Sequence, residues 1–250
     1  MASAILQTRA LSVGYEGRAV VEDIHFQARS GEILSIIGPN GAGKSTLIKT
    51  LIRQLPPVCG EVELDGQPLS RLPDRDAARI LAAVLTRRPE PELMRCEDVV
   101  ALGRYPYTGR LGILSEADRR KVAEAMELVG VRDLADRDFE QISDGQRQRV
   151  LLARAICQEP RILILDEPTS YLDLKHKLDF LQLLQALSRR QNLAVIMSMH
   201  ELALAKAFSD SVLCLRNGHV DRQGAPEEIF TADYVEQLFR LKHGSAAYFL

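Results

Sequence analysis

Residues 33 to 46 limit the fold of this chain more than any other stretch. Ile33-Leu34-Ser35-Ile36-Ile37 is an apolar run that stops at Gly38. Gly38-x-x-x-x-Gly43-Lys44-Ser45 follows, and then the helical-looking Thr46-Leu47-Ile48-Lys49-Thr50-Leu51-Ile52. A buried strand, a glycine-rich loop and a helix in that order form the pattern of a nucleotide phosphate-binding loop. Glycines let backbone N–H groups converge on an anion. The helix start adds unpaired donors and the positive end of its dipole. On this reading Gly38, Pro39, Asn40, Gly41, Ala42, Gly43, Lys44, Ser45 and Thr46 line the phosphates. Lys44 places a compact charge on the β- and γ-phosphates, and Ser45 offers a hydroxyl to Mg²⁺. The loop alone specifies nucleotide phosphates and no particular reaction, because kinases, GTPases and motors share it.

The bulk numbers narrow the class. A chain of 250 residues can build one large domain or two small ones. Its 46% hydrophobic and 26% charged residues suit a soluble globular protein. A net charge of -2 gives no general attraction for nucleic acid, so no nucleic-acid partner is expected. No apolar run approaches the roughly 20 residues of a membrane-spanning helix. The start, Met1 to Gln7, is too short and polar for a secretory signal, so an intracellular protein is expected. Cys59, Cys96, Cys157 and Cys214 are scattered without a C-x-x-C pair, which predicts reduced thiols.

Along the chain, Ile5 to Thr8, Leu11 to Tyr15 and Val20 to Phe26 read as strands, with a turn over Arg29 to Glu32. Pro56-Pro57 is expected to close the helix after the phosphate loop. Glu61 to Leu64 alternates as a half-exposed strand does, and Asp65-Gly66 turns it back. Leu81 to Leu85 is a short buried strand, followed by a polar loop over 86 to 96. Residues 97 to 142 read as a small helical subdomain inserted into an α/β core formed by 1–96 and 143–250. In it Ser115-x-x-Asp118 is a capping box, Val122, Met126 and Val129 share a face, and Gly130 is the stop. Then come a helix to about Gln158, a strand Arg161 to Leu165, a helix Lys175 to Arg189, a strand Leu193 to Met197 and a helix from Glu201. A hairpin turns at Asn217-Gly218, and Lys242 to Leu250 are expected to fray. Alternating strands and helices imply a mostly parallel sheet covered on both faces.

Ile162-Leu163-Ile164-Leu165-Asp166-Glu167 is a buried strand ending in two carboxylates. Asp166 is placed to hold Mg²⁺, directly or through water, and Glu167 to polarise an attacking water beside the γ-phosphate. Such an ending is common alone, but after a phosphate loop it points to nucleotide hydrolysis. Upstream, Ser143-x-x-Gln146 in Ile142-Ser143-Asp144-Gly145-Gln146 is a capping box. A helix start with a hydroxyl and a flexible glycine is also a second anion site.

With these motifs in this order, the chain resembles the ATP-binding cassette (ABC) family over nearly its whole length. That family's signature reads Leu-Ser-Gly-Gly-Gln and lies just ahead of the acidic strand, as here. The resemblance implies a P-loop ATPase core with a mostly parallel sheet, an N-terminal antiparallel β subdomain and the inserted helical subdomain. It implies ATP and Mg²⁺, and a head-to-tail homodimer in which Ser143, Gly145 and Gln146 touch ATP held by the other copy. Tyr15 occupies the early strands where the family stacks an aromatic on adenine, although a core tyrosine fits equally. Asp173, in Ser170-Tyr171-Leu172-Asp173, matches the family's interface loop, and it is also a plain N-cap for the next helix. His200 follows its strand as the family's switch histidine does, poised to orient Glu167. The catalytic set implied is Lys44, Glu167 and His200, with Ser45, Asp166 and Thr86 toward the metal.

Two positions depart from the family pattern. Asp144 replaces the first signature glycine. Thr86, followed by Arg87-Arg88, stands where the family has the glutamine that reaches the metal and senses the transporter. Gly103-Arg104-Tyr105-Pro106 resembles the subfamily that powers uptake of iron–siderophore complexes, haem and cobalamin. That likeness implies a peripheral ATPase on the cytoplasmic membrane face. Its partners would be separate permease subunits, gripped near Arg87 to Tyr107, and indirectly a solute-binding protein. The alternatives are a soluble cassette ATPase of iron–sulfur assembly and the ATPase of an exporter.

Overall fold

The computed structural model describes residues 4–86, 93–109 and 111–249. Its first strand, β1 (Ala4–Tyr15), pairs with three others, two of them sharing one edge. The second half pairs antiparallel with β2 (Arg18–Ile24), and the first half with β3 (Gln27–Arg29). The two strands expected on either side of Arg9-Ala10 are thus one strand with a kink. Ala10 has φ 44, and the register shifts between Arg9 and Ser12 mark a bulge, which bends a strand without ending it.

Next come β4 (Ile33–Ile37) and α1 (Lys44–Leu51). The helix stops well before Pro56-Pro57. Arg53 turns left-handed at φ 64, and the N–H groups of Gln54 and Leu55 close on the Lys49 carbonyl at 2.8 and 3.2 Å. The hairpin β5 (Cys59–Leu64) and β6 (Gln67–Pro68) turns at Asp65-Gly66 as expected and completes the antiparallel sheet, in the order β2-β1-β5-β6. A short helix, α2 (Asp74–Ile80), had no signal in the sequence, since Ala77 is its one buried residue. It leads into β7 (Leu81–Val84). Arg87 and Arg88, and most of the expected loop, lie outside the described residues.

The helical region contains α3 (Cys96–Ala101) and α4 (Glu116–Leu128). Ser115 and Asp118 exchange the expected capping bonds, and Gly130 ends the turn at φ 70. Both helices pack on α5 (Asp144–Cys157). Arg104 ties this region together: it is 5% exposed and bonds Asp118 at 2.9 Å, Glu159 at 2.8 Å and the Cys157 carbonyl at 2.8 Å.

The core continues with β8 (Ile162–Leu165), α6 (Leu174–Gln191), β9 (Ala194–Ser198) and α7 (Leu202–Phe208). The hairpin β10 (Ser211–Arg216) and β11 (His219–Gly224) turns at Asn217-Gly218, both with positive φ. Two helices unforeseen in the sequence, α8 (Pro226–Ile229) and α9 (Ala232–Phe239), follow. Near the end the chain is anchored at one point, while Tyr248 and Phe249 beyond it are exposed. Ala246 is buried and its N–H donates to the Glu236 carboxylate at 3.2 Å.

The six-stranded sheet runs β11-β10-β4-β9-β8-β7, with every pair parallel except β10 and β11. Side chains alternate across it. Leu34, Ile36, Ile162 and Ile164 face α1 and the antiparallel sheet, whereas Ile33, Ile37, Leu163 and Leu165 face α5 and α6. Burial on both faces explains why these strands read as continuous apolar runs. Register pairs Ile36 with Ser198 and Leu165 with Met197, so β4, β8 and β9 end on one edge. Parallel sheets bind ligands at that carboxyl edge.

Candidate nucleotide site

The glycine-rich loop leaves β4 at Gly38, which must be glycine. A Cβ there would lie 2.5 Å from the Leu215 carbonyl of β10. Gly43, at φ 98, would press a Cβ to 2.3 Å from Val21. It is the N-cap of α1 and supplies no side-chain cap, and no acid sits in the first turn. The helix start therefore keeps its N–H donors for another ligand. Lys44 is 5% exposed, and its ammonium donates to the carbonyls of Gly38 at 2.8 Å and Pro39 at 3.2 Å. Burial lowers its pKa, while Glu167 and Asp166 act in the opposite sense.

Asp166 and Glu167 leave β8 beside this loop. Asp166 Oδ1 accepts the Ser45 hydroxyl at 3.3 Å and the Ser198 hydroxyl at 2.7 Å. Glu167 adopts φ 48, and its Oε1 lies 2.5 Å from His200 Nε2. Oε2 accepts the Ser170 hydroxyl at 3.1 Å. Burial pushes the Glu167 carboxyl up, but the His200 hydrogen bond and charge, Ser170 and Lys44 together hold it below its ordinary value. Lys44, Ser45, Asp166, Glu167 and His200, far apart in sequence, thus share one strand edge.

Tyr15 is half exposed at the end of β1, so the core-tyrosine reading does not hold. Its hydroxyl accepts from Thr46 Oγ1 at 3.4 Å, beside the first turn of α1. Thr86 donates its hydroxyl to the Asp166 backbone carbonyl at 2.8 Å. It lines a groove of about 930 Å³ that runs from Ser45, Asp166 and Glu167 to Arg154 and Gln158.

The second predicted anion site is built from two capped helix starts. Ser143 caps α5, with its Oγ accepting from Gln146 N at 3.3 Å and the Gln146 side chain returning to Ser143 N at 3.0 Å. Asp173 caps α6 and accepts both the backbone N–H and the ring nitrogen of His176, at 2.9 and 2.8 Å. The His176 ring lies so close to Gly145 that a Cβ there would meet it at 3.1 Å. Asp144 has Arg147 at 3.8 Å. Among the described residues, no hydrogen bond or ion pair joins Ser143, Gly145, Gln146 or Asp173 to the phosphate loop.

Sequence reading missed Ser198. A serine closing the apolar run Ala194 to Met197, two residues before His200, was the available signal.

A phosphate-binding loop at the end of a central parallel strand, facing a carboxylate pair on its neighbour, defines a P-loop nucleoside triphosphatase. Residues 21–170 match the model of the ABC transporter family, and the chain belongs to that family as one of its ATP-binding, ATP-hydrolysing subunits. It is 44% identical to an uncharacterized ABC transporter ATP-binding protein of Methanocaldococcus jannaschii, over 96% of this chain and 83% of that one. It is 39% identical to the iron(3+)-hydroxamate import ATP-binding protein FhuC of Bacillus subtilis, over 94% of this chain and 88% of that one. An inward-facing metal-chelate type ABC transporter superposes with a TM-score of 0.84 at 28% identity, over 95% of this chain and 90% of that one. A dimeric ATP-binding cassette in a post-hydrolysis state, bound to ADP and Pi, superposes with a TM-score of 0.77 at 25% identity, over 88% of this chain and 98% of that one.

Proposed function

We propose that this chain hydrolyses ATP to power uptake of a metal chelate, of the ferric siderophore, haem or cobalamin type, through a separate membrane permease. The observation that carries the cargo class is the 39% identity, over nearly the whole chain, to an iron–hydroxamate import subunit. The site chemistry supports the hydrolytic part. An uncapped helix start and a buried ammonium suit a polyphosphate. Ser45 and Asp166 bring hard oxygen donors to within 3.3 Å of each other, a donor set that suits Mg²⁺.

Ser45 and Asp166 would hold the metal, with Thr86 beside them. Mg²⁺, when bound, supplies positive charge to the phosphate oxygens. Lys44 adds charge on the same side. Glu167 accepts the proton of an attacking water, and His200 holds that carboxylate in place. Gly38 to Thr46 wrap the phosphates, and Tyr15 offers its ring to adenine.

Ser143, Gly145, Gln146 and Asp173 serve the nucleotide of a second copy. The dimeric cassette that superposes on this chain supports this head-to-tail arrangement. We treat residues 97–142 as a helical unit inserted in the core formed by 1–96 and 143–250. The exposed side chains of Leu102, Tyr105, Leu111 and Ile113 suit it to grip a permease. The chain then sits on the cytoplasmic membrane face, meeting a solute-binding protein only through the permease.

Two measurements test this. Glu167→Gln with saturating ATP and Mg²⁺ should elute at twice the 27.9 kDa chain mass. A monomer under those conditions refutes the dimer. In proteoliposomes holding the chain and its permease, one of ferric hydroxamate, haem or cobalamin should be taken up only with ATP. Failure of all three refutes the cargo class.

A further inference from the structure

We propose that Ser198 is a positioning residue, which sets the two acidic side chains of the site relative to each other through a single hydroxyl. The inference rests on the reading of Asp166 and Glu167 given above. Ser198 ends β9, is 0% exposed, and follows four buried apolar residues. A hydroxyl so buried is costly unless its hydrogen bonds are made. Both bonds go to the acidic pair. Its hydrogen is donated to Asp166 Oδ1 at 2.7 Å, and its oxygen accepts the Glu167 N–H at 2.8 Å. Register makes this possible. Leu165 pairs with Met197, so the next step along both strands sets Asp166 beside Ser198.

Each bond has a separate consequence. An ionised carboxylate can only accept, which fixes the direction of the chain N–H to O–H to carboxylate and lets each bond polarise the next. The Ser45 hydroxyl falls on the same Oδ1, and among the described residues no hydrogen bond falls on Oδ2. One oxygen of Asp166 is thereby anchored and the other left for a cation. At Glu167 the backbone is left-handed, φ 48, a conformation rare for a glutamate. The Ser198 oxygen holds its N–H, and Ser170 N returns to its carbonyl at 3.2 Å. This bend sets where the Glu167 carboxylate starts on its way to His200. Ser198 thus touches no reacting atom, yet it aligns the metal-side acid with the water-side acid.

The test compares Ser198→Ala, Ser198→Thr and Ser198→Val with Glu167→Gln in the full chain. Threonine keeps the hydroxyl, and valine matches its shape without it, so that pair holds packing constant. Steady-state ATPase is measured against ATP and against Mg²⁺, and affinity for a fluorescent ATP analogue is measured with Mg²⁺ and with EDTA. Ser198→Ala and Ser198→Val should lose roughly 10- to 100-fold in kcat and need about tenfold more Mg²⁺, the size of effect seen when groups behind metal ligands are removed. Their nucleotide affinity in EDTA should match wild type, and Ser198→Thr should recover most of the activity. Equal activity in the Thr and Val variants overturns the inference, as does an affinity loss equal with and without Mg²⁺. Wild-type turnover in Glu167→Gln would instead overturn the underlying reading of the acidic pair.

Discussion

His200 Nε2 lies 2.5 Å from Glu167 Oε1, and the two residues leave the ends of adjacent parallel strands. The pair is built by strand register, not by nearness in sequence. His200 is the largest of the influences that keep Glu167 ionised against the cost of burial.

Removing it should therefore act twice. His200→Ala should lower ATPase turnover by about 100-fold, the low end for loss of acid–base assistance. It should also let the Glu167 pKa rise, so the acid limb of the kcat–pH profile moves to higher pH. In the intact chain the lowered pKa stabilises the fold above the ordinary glutamate value, and that contribution disappears as pH falls through the lowered one. Steady-state kinetics across the acid limb check the shift; an unmoved limb rules out His200 as its cause.

Thr86 is bonded to the main chain of Asp166 at 2.8 Å. Thr86→Val keeps the shape and removes that bond, which should cost about 1 kcal/mol and show as a lower melting temperature. Thr86→Gln places the longer amide in the groove and should keep or raise ATPase activity. Severe loss in a folded Thr86→Gln chain would remove Thr86 from the metal side of the site.

Arg104 joins α4 to the end of α5, and its guanidinium also lies 3.9 Å from the Tyr107 ring centroid. Arg104→Met leaves Asp118 without its buried partner and should destabilise the chain by about 3 kcal/mol or more. Arg104→Lys should rescue little, because a point charge cannot reproduce the planar fork. The Ser115 hydroxyl, and then Arg104, hold Asp118 below its ordinary pKa, although burial opposes them. Stability from Asp118 should persist down to the ordinary aspartate value and fall away only below it. Urea midpoints measured against pH decide this.

Cys96, Cys157 and Cys214 are buried and Cys59 is exposed, with all four free. Burial pushes the Cys157 thiol up to about 12 and the Cys214 thiol up to about 11. A thiol reagent should label Cys59 rapidly and the others only on unfolding. Mass spectrometry after brief labelling reads the sites, and fast labelling of Cys157 would contradict this packing.

What the sequence showed depended on range. The phosphate loop was legible because its strand, turn and helix are contiguous. Asp166-Glu167 and His200 were legible because each follows a plain apolar strand. Ser198 was not, because its partners arise from the alignment of β8 with β9. Arg9-Ala10 looked like a break in β1 because a bulge and a turn present the same exposed residues to the reader. α2 buries little and so leaves no periodic apolar face. The approach of the His176 ring to Gly145, which brings the starts of α5 and α6 together, is likewise a property of the folded whole.

Lys44 reaches back to two carbonyls of its own loop. An ammonium carries three N–H donors, so a newcomer can be met by the third while both carbonyls stay engaged. A charged triphosphate oxygen bonds that donor more strongly than a neutral oxygen does. The two carbonyls keep that cation in place within one chain, so its preference for negative charge needs no second copy.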